Sequence, residues 1–150
     1  MTVAGFGFRR GATPESLRDA LDRAIEAVAA SHPGPAPGPV ALLATARDKA
    51  DAACLRALSD ALGVPVCAVP DDRMRATPTP TDHARVRALR GTGSTAEAAA
   101  LAAARMHGAP DARIARPRAV SADRLATCAL AVGTPPSSPP SPPSPARSSP

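Results

Sequence analysis

The chain has 150 residues, enough for one ordinary domain, and its 44% apolar share is thinner than it looks, since 36 of those 66 residues are alanine. Tryptophan and tyrosine are absent, which argues against aromatic stacking on exposed nucleic-acid bases. The formal charge is +5, carried by 17 arginines and a single lysine, Lys49, a balance that favours anionic partners.

Residues 2–8 read as a short strand that runs into Arg9-Arg10-Gly11. Thr13 then caps a helix, Pro14 takes its first position and Glu15 lies in the first turn, where the helix dipole favours a carboxylate. Leu17, Leu21, Ile25 and Val28 fall on one face, while Asp19 and Arg23 stand one turn apart on the polar side. The proline- and glycine-rich residues 31–39 end that helix as a loop.

Residues 40–44 are a continuous apolar run, the mark of a strand covered on both faces. Asp48 is placed as the cap of a second helix, with Cys54, Leu55, Leu58, Ala61 and Leu62 on its inner face and Gly63 closing it. Residues 64–69 form a third strand, and Pro65 puts its start at a sheet edge. Residues 71–75 fit one helical turn, 77–81 an extended Pro-Thr loop, and 82–90 either an irregular or a helical path. Ser94 and Glu97 then have the spacing of a capping box, opening an alanine-rich helix to about His107 whose slim surface can pack close to a neighbour. Residues 113–120 and 125–132, joined by Ser-Ala-Asp-Arg, read as a β-hairpin.

Strand, helix, strand, helix, strand followed by a hairpin predicts an α/β fold: a three-layer α/β/α sandwich over a mixed sheet of about five strands. The folded body is expected over residues 1–133. In residues 134–150, 14 of 17 positions are Pro or Ser, so that stretch is expected to be a disordered tail. Cys54, Cys67 and Cys128 are odd in number and widely spaced, which suits three buried thiols in a reducing cytosol rather than disulfides or a zinc site. No charged leader with an apolar core opens the chain and no run reaches the length of a membrane span, so a cytoplasmic protein without a membrane partner is expected.

In an open α/β sheet, ligands bind beyond the carboxyl ends of the strands. Three segments are expected to converge there, residues 7–13, 45–49 and 91–94, each ahead of a helix N-terminus that attracts anions. The candidate binding residues are Gly7, Arg9, Arg10, Gly11, Thr45, Gly91, Gly93, Ser94 and Glu97. Lys49, the sole lysine, and its neighbour Asp48 are the candidates for chemistry. Gly5, Gly7 and Gly11 do not make a dinucleotide fingerprint, because the third glycine comes one residue late. Glu97 also suits a purely capping role. His83, beside Asp82, is a weaker candidate proton carrier, and His32 and His107 suit the surface. No metal-ligand cluster is present. The arrangement suits a polycarboxylate or phosphate ligand with no cofactor, and 13 acidic residues interleaved with the basic ones speak against nucleic acid.

The same segments carry a resemblance. G-F-G-F-R-R-G-A, then L-A-T-A-R-D-K-A-D, then G-T-G-S-T-A-E-A-A-A-L, ending in L-A-T-C-A-L-A, resembles the cobalamin-biosynthesis family of the stand-alone CobE proteins and the C-terminal domain of CbiG, across about residues 3–132. One position departs from the pattern: the family usually has an acidic residue after K-A-D, where this chain has Ala52, so no role is carried over to it. The resemblance implies a step in corrin-ring construction and a precorrin-type tetrapyrrole as ligand, with other enzymes of that pathway as possible partners. It leaves two activities open, binding or carriage of the precorrin and opening of the ring lactone of precorrin-5A or its cobalt form. A phosphate- or nucleotide-binding regulatory module is the reading from another class.

Overall fold

The computed structural model of the chain describes residues 1–31, 39–77, 95–115 and 119–133. Strand β1 (Thr2–Phe8) leads into helix α1 (Pro14–Ser31), whose start is fixed by Thr13: its Oγ1 accepts the Ser16 amide at 3.1 Å, and the Thr13 amide donates back to Ser16 Oγ at 3.2 Å. This is a reciprocal cap with serine in the third position. Leu17, Leu21 and Val28 are buried, each contributing on the order of 2 kcal/mol of transfer free energy. Ile25 is a correction: it is 37% exposed. Ala20 and Ala24 occupy the centre of the buried face instead, and that turns the stripe away from Ile25.

Strand β2 (Val40–Ala46) runs two residues further than its apolar core suggests and ends in a 3₁₀ turn, Arg47–Lys49. Helix α2 (Ala53–Leu62) starts only after that turn. Asp48 is therefore not its cap; Ala52 holds that position, with no side-chain hydrogen bond to the first turn. Gly63 closes α2 in the left-handed region at φ 69°, as its position predicts. Strand β3 (Val66–Val69) begins one residue after Pro65, whose carbonyl still accepts the Leu43 amide at 2.9 Å. Next come the single-turn helix α3 (Asp71–Arg75) and α4 (Thr95–Met106).

The expected hairpin arrives in pieces. Strand β4 (Arg113–Ile114) and strand β5 (Ala119–Val120) both pair antiparallel with β6 (Ala126–Val132). Ile114 faces Ala131 and Ala119 faces Cys128, so five steps on one side match three on the other. What the sequence presents as one strand over residues 113–120 is thus described as two short strands in different register.

The sheet order is β3-β2-β1-β6-β4, with β5 also on β6. β1, β2 and β3 are parallel, and β6 is antiparallel to β1. This is a mixed open sheet with β3 at one edge, in keeping with Pro65. Helices α1 and α2 cover one face, with Phe6, Leu17, Leu43, Leu55 and Leu130 at the centre of its core. On the other face α3 and α4 pack through Met74, Leu101 and a run of alanines onto Val3, Leu42, Val69 and Ala131.

The alanine-rich helix comes unusually close to the sheet. A Cβ at Gly5 would lie 2.1 Å from the Ala96 carbonyl oxygen and 2.6 Å from the Ala100 amide nitrogen. Gly5 thus exists for helix packing rather than for a phosphate. Small residues on both sides make a core from a sequence poor in large ones. The residues 134–150 expected to form a tail lie outside the described residues, as do residues 32–38, 78–94 and 116–118. Among the described residues no helix is long and apolar enough to cross a membrane.

Candidate functional site

Parallel strands β1 and β2 both end at one edge of the sheet, at Phe8 and Ala46, and antiparallel β6 starts at the same edge, with Ala126 opposite Phe8. α4 runs opposite to β1. Its first residue, Thr95, lies beside Gly7, and Ala96 and Ala100 pass over Gly5. The helix N-terminus therefore points to the carboxyl edge, next to the turn that carries Arg9 and Arg10. Two of the three expected segments, 7–13 and 45–49, meet here. Gly91, Gly93 and Ser94 of the third lie outside the described residues, as do His32 and His83.

Cations from two loops are grouped at this edge. Arg9 and Arg10 are exposed, in a turn closed by the Ala12 amide on the Arg9 carbonyl at 3.1 Å and tied to β6 through the Arg9 amide on Leu125 O at 2.9 Å. Gly11 follows them in the open. Arg47 and Asp48 are exposed on the neighbouring turn and Lys49 is half-buried. Lys49 Nζ donates to Phe8 O at 2.6 Å and lies 5.1 Å from the centre of the Phe8 ring, so a carbonyl and a π face together fix the ammonium. Lys49 is in this way bound to the residue immediately before Arg9.

Two candidates sit inside the fold rather than on this mouth. Thr45 is 1% exposed, and its hydroxyl donates to Phe6 O at 3.0 Å across the two strands. Glu97 is fully buried in the first turn of α4. Gly7 lies at the surface of the sheet between Thr95 and Thr127, with the Thr127 hydroxyl donating to its carbonyl at 3.2 Å.

At α1 and α2 the surroundings of the helix N-termini differ from what the sequence suggests. A carboxylate of the protein already stands against the first turn of α1, through the Ser16 side chain. Asp123, in the turn between β5 and β6, accepts Ser16 Oγ at 2.5 Å, Ser121 Oγ at 2.5 Å and the Leu125 amide at 3.0 Å. One turn along α1, Asp19 accepts the Ala122 amide at 2.7 Å and Arg23 Nε at 3.0 Å. These bonds hold both carboxyls below the usual carboxylate range, Asp123 chiefly through Ser121 and Asp19 chiefly through the Ala122 amide. Nor does α2 begin next to Lys49, because Lys49 ends the 3₁₀ turn and residues 50–52 intervene.

Asp123, Phe8, Thr127 and Thr95 all escape a reading of the sequence. Asp123 had one signal, a Ser-x-Asp turn of the kind that binds its own backbone, but nothing local points to Ser16, 107 positions away. The thiols are free: Cys67 and Cys128 are buried, Cys54 only partly. Burial pushes both buried thiols up in pKa, Cys128 far up. Among the described residues no group of three or more His, Cys, Asp or Glu is placed to hold a metal ion. An open depression of about 360 Å³ lies apart from the Arg9–Arg10 turn, between α2 and β3, lined by Asp51, Arg56, Ser59, Asp60, Val66 and Ala68. Its two carboxylates against one guanidinium do not suit a polyanion.

The family described as "Cobalamin synthesis G C-terminus" matches residues 2–131. Among solved structures, the chain is similar to CobE, "a protein from the cobalamin (vitamin B12) biosynthetic pathway", at 30% identity and a TM-score of 0.72, over 87% of this chain and 89% of that one. It is also similar to cobalamin biosynthesis protein chiG from Agrobacterium tumefaciens str. C58, at 32% identity and a TM-score of 0.60, over 89% of this chain and 99% of that one. None of the curated proteins matches.

Proposed function

The chain belongs to the cobalamin synthesis G C-terminus family, and from that premise we propose that it binds a carboxylate-rich precorrin during corrin-ring construction. It is a protein of cobalamin biosynthesis; the ligand and the manner of handling it are the proposal. The observation that carries the proposal is the grouping of Arg9, Arg10, Arg47 and Lys49 on two adjacent loops at the carboxyl edge of the sheet. Precorrins bear acetate and propionate arms. Guanidinium groups bind carboxylates through paired N–H donors, and each such charge-assisted contact contributes roughly 1.5–3 kcal/mol.

Binding is favoured over lactone hydrolysis because Lys49, the residue best suited by type to polarise or attack a carbonyl, is already engaged with the Phe8 carbonyl and ring. An anchored ammonium of this kind supports a fixed docking surface. The test is incubation of the purified protein with a lactone-bearing precorrin, followed by absorbance spectroscopy and mass spectrometry. The proposal expects a spectral shift on binding with the ligand recovered at unchanged mass. Recovery of a ring-opened product would replace binding with hydrolysis. Binding of nucleotides without any tetrapyrrole binding would point to a regulatory module.

A further inference from the structure

Three consecutive carbonyls at the end of β1 are each capped by a side chain. Thr45 donates to Phe6 O at 3.0 Å, Thr127 to Gly7 O at 3.2 Å and Lys49 to Phe8 O at 2.6 Å. The reason lies in the sheet. Backbone pairing of β1 with β2 runs from Thr2 to Gly5 opposite Ala44, whereas its pairing with β6 continues to Phe8. Past Gly5 the two parallel strands part. Successive carbonyls of a strand point to opposite sides, so Phe6 O and Phe8 O share the side of β2. There Thr45 and Lys49 take the place of the missing backbone N–H groups.

We propose that Lys49 is a positioning residue: its ammonium closes the parted ends of β1 and β2 and so sets the place of the Arg9–Arg10 turn for an anionic ligand. This rests on the reading of that edge as the tetrapyrrole site. Phe8 is the last residue of β1, and the two guanidinium-bearing residues follow it directly. A donor that holds its carbonyl therefore governs where they begin. The compact head group explains why the only lysine in a chain with 17 arginines stands here. An ammonium fits 2.6 Å from a carbonyl and over a ring at once, whereas a planar guanidinium is wider and holds its donors in a rigid fork. Capping these carbonyls also removes exposed negative dipole ends from a mouth that has to accept carboxylates.

The experiment uses the full chain and uroporphyrin, a tetrapyrrole with acetate and propionate arms, as probe. Lys49→Met keeps the length of the side chain and removes the donor. It is expected to weaken uroporphyrin binding about tenfold and to speed hydrogen exchange at the amides of Arg9, which donates to Leu125 O, and Ala12, which donates to Arg9 O. Lys49→Arg should restore the slow exchange only in part. In an Arg9→Ala/Arg10→Ala background, Lys49→Met should cause little further loss, because it acts through that turn. An additive loss in that background would overturn the proposal by showing an independent contact, and so would wild-type affinity in Lys49→Met alone. Should the wild-type chain fail to bind uroporphyrin, the site reading falls. The exchange measurement then decides the latch alone: faster exchange in Lys49→Met keeps it, and unchanged exchange removes it.

Discussion

Replacing Gly5 with alanine tests how an alanine-rich sequence builds this fold. The added Cβ would stand 2.1 Å from Ala96 O, 2.6 Å from the Ala100 amide nitrogen and 2.8 Å from Ala100 Cβ. Carbon reaches its optimal non-bonded separation at roughly 3.5–4.0 Å, so α4 has to withdraw by more than about 1 Å along its first two turns. Two of the three clashing atoms are backbone, and no rotamer change relieves them. Overpacking of a filled core costs about 1–3 kcal/mol and occasionally more; with rigid partners the upper end, about 3 kcal/mol, is expected. For a domain of this size that lowers Tm by roughly 10 °C. Urea unfolding followed by circular dichroism measures the loss. A second variant sharpens the test. Adding Ala100→Gly removes the Cβ contact but neither backbone contact, so it should recover little. A Gly5→Ala stability within about 0.5 kcal/mol of wild type, or full rescue by Ala100→Gly, would refute the close helix–sheet approach.

Other consequences follow from the clasp between α1 and the β5–β6 turn and from the thiols. Asp123 has its pKa held below the ordinary 3.8, so its contribution is fully present above the unfolded value and is lost as pH falls through the folded one. Asp123→Ala should therefore melt below wild type at pH 7, with the gap closing under strong acid; a pH-independent gap would contradict the clasp. In the native protein Cys54 should react with a thiol reagent first, Cys67 slowly and Cys128 only on unfolding, since only Cys54 is partly accessible and burial disfavours both other thiolates. Equal rates by mass spectrometry would contradict the packing.

The fold was legible where local signals agree. Thr13, Pro14 and the spacing of Leu17, Leu21 and Val28 all specify α1, and the apolar run of β2 specifies a strand buried on both faces. Signals that depend on distant partners mislead. Ile25 matches the helical period, yet Ala20 and Ala24 outcompete it because small side chains let α1 lie close to the sheet. Asp48 has the chemistry of a cap, yet the chain makes a 3₁₀ turn there and delays α2 to Ala53. Gly5 carries no local signal of its role, which is to admit a helix. At the site, the sequence puts Arg9, Arg10 and Lys49 at strand ends by topology alone. That Lys49 binds Phe8 O depends on how far β1 and β2 stay paired, which no local pattern encodes.

The central claim is that the carboxyl edge of the sheet holds a polycarboxylate tetrapyrrole through Arg9 and Arg10, and a fluorescence titration with uroporphyrin at several salt concentrations tests it most directly. Wild-type affinity should fall steadily as salt rises, because exposed charge pairs are screened over about 8–10 Å. Arg9→Ala/Arg10→Ala should bind at least about a hundredfold more weakly at low salt, at roughly tenfold for each charge-assisted contact, and with a shallower salt dependence. Wild-type affinity in the double variant, or binding that ignores salt, would contradict the account.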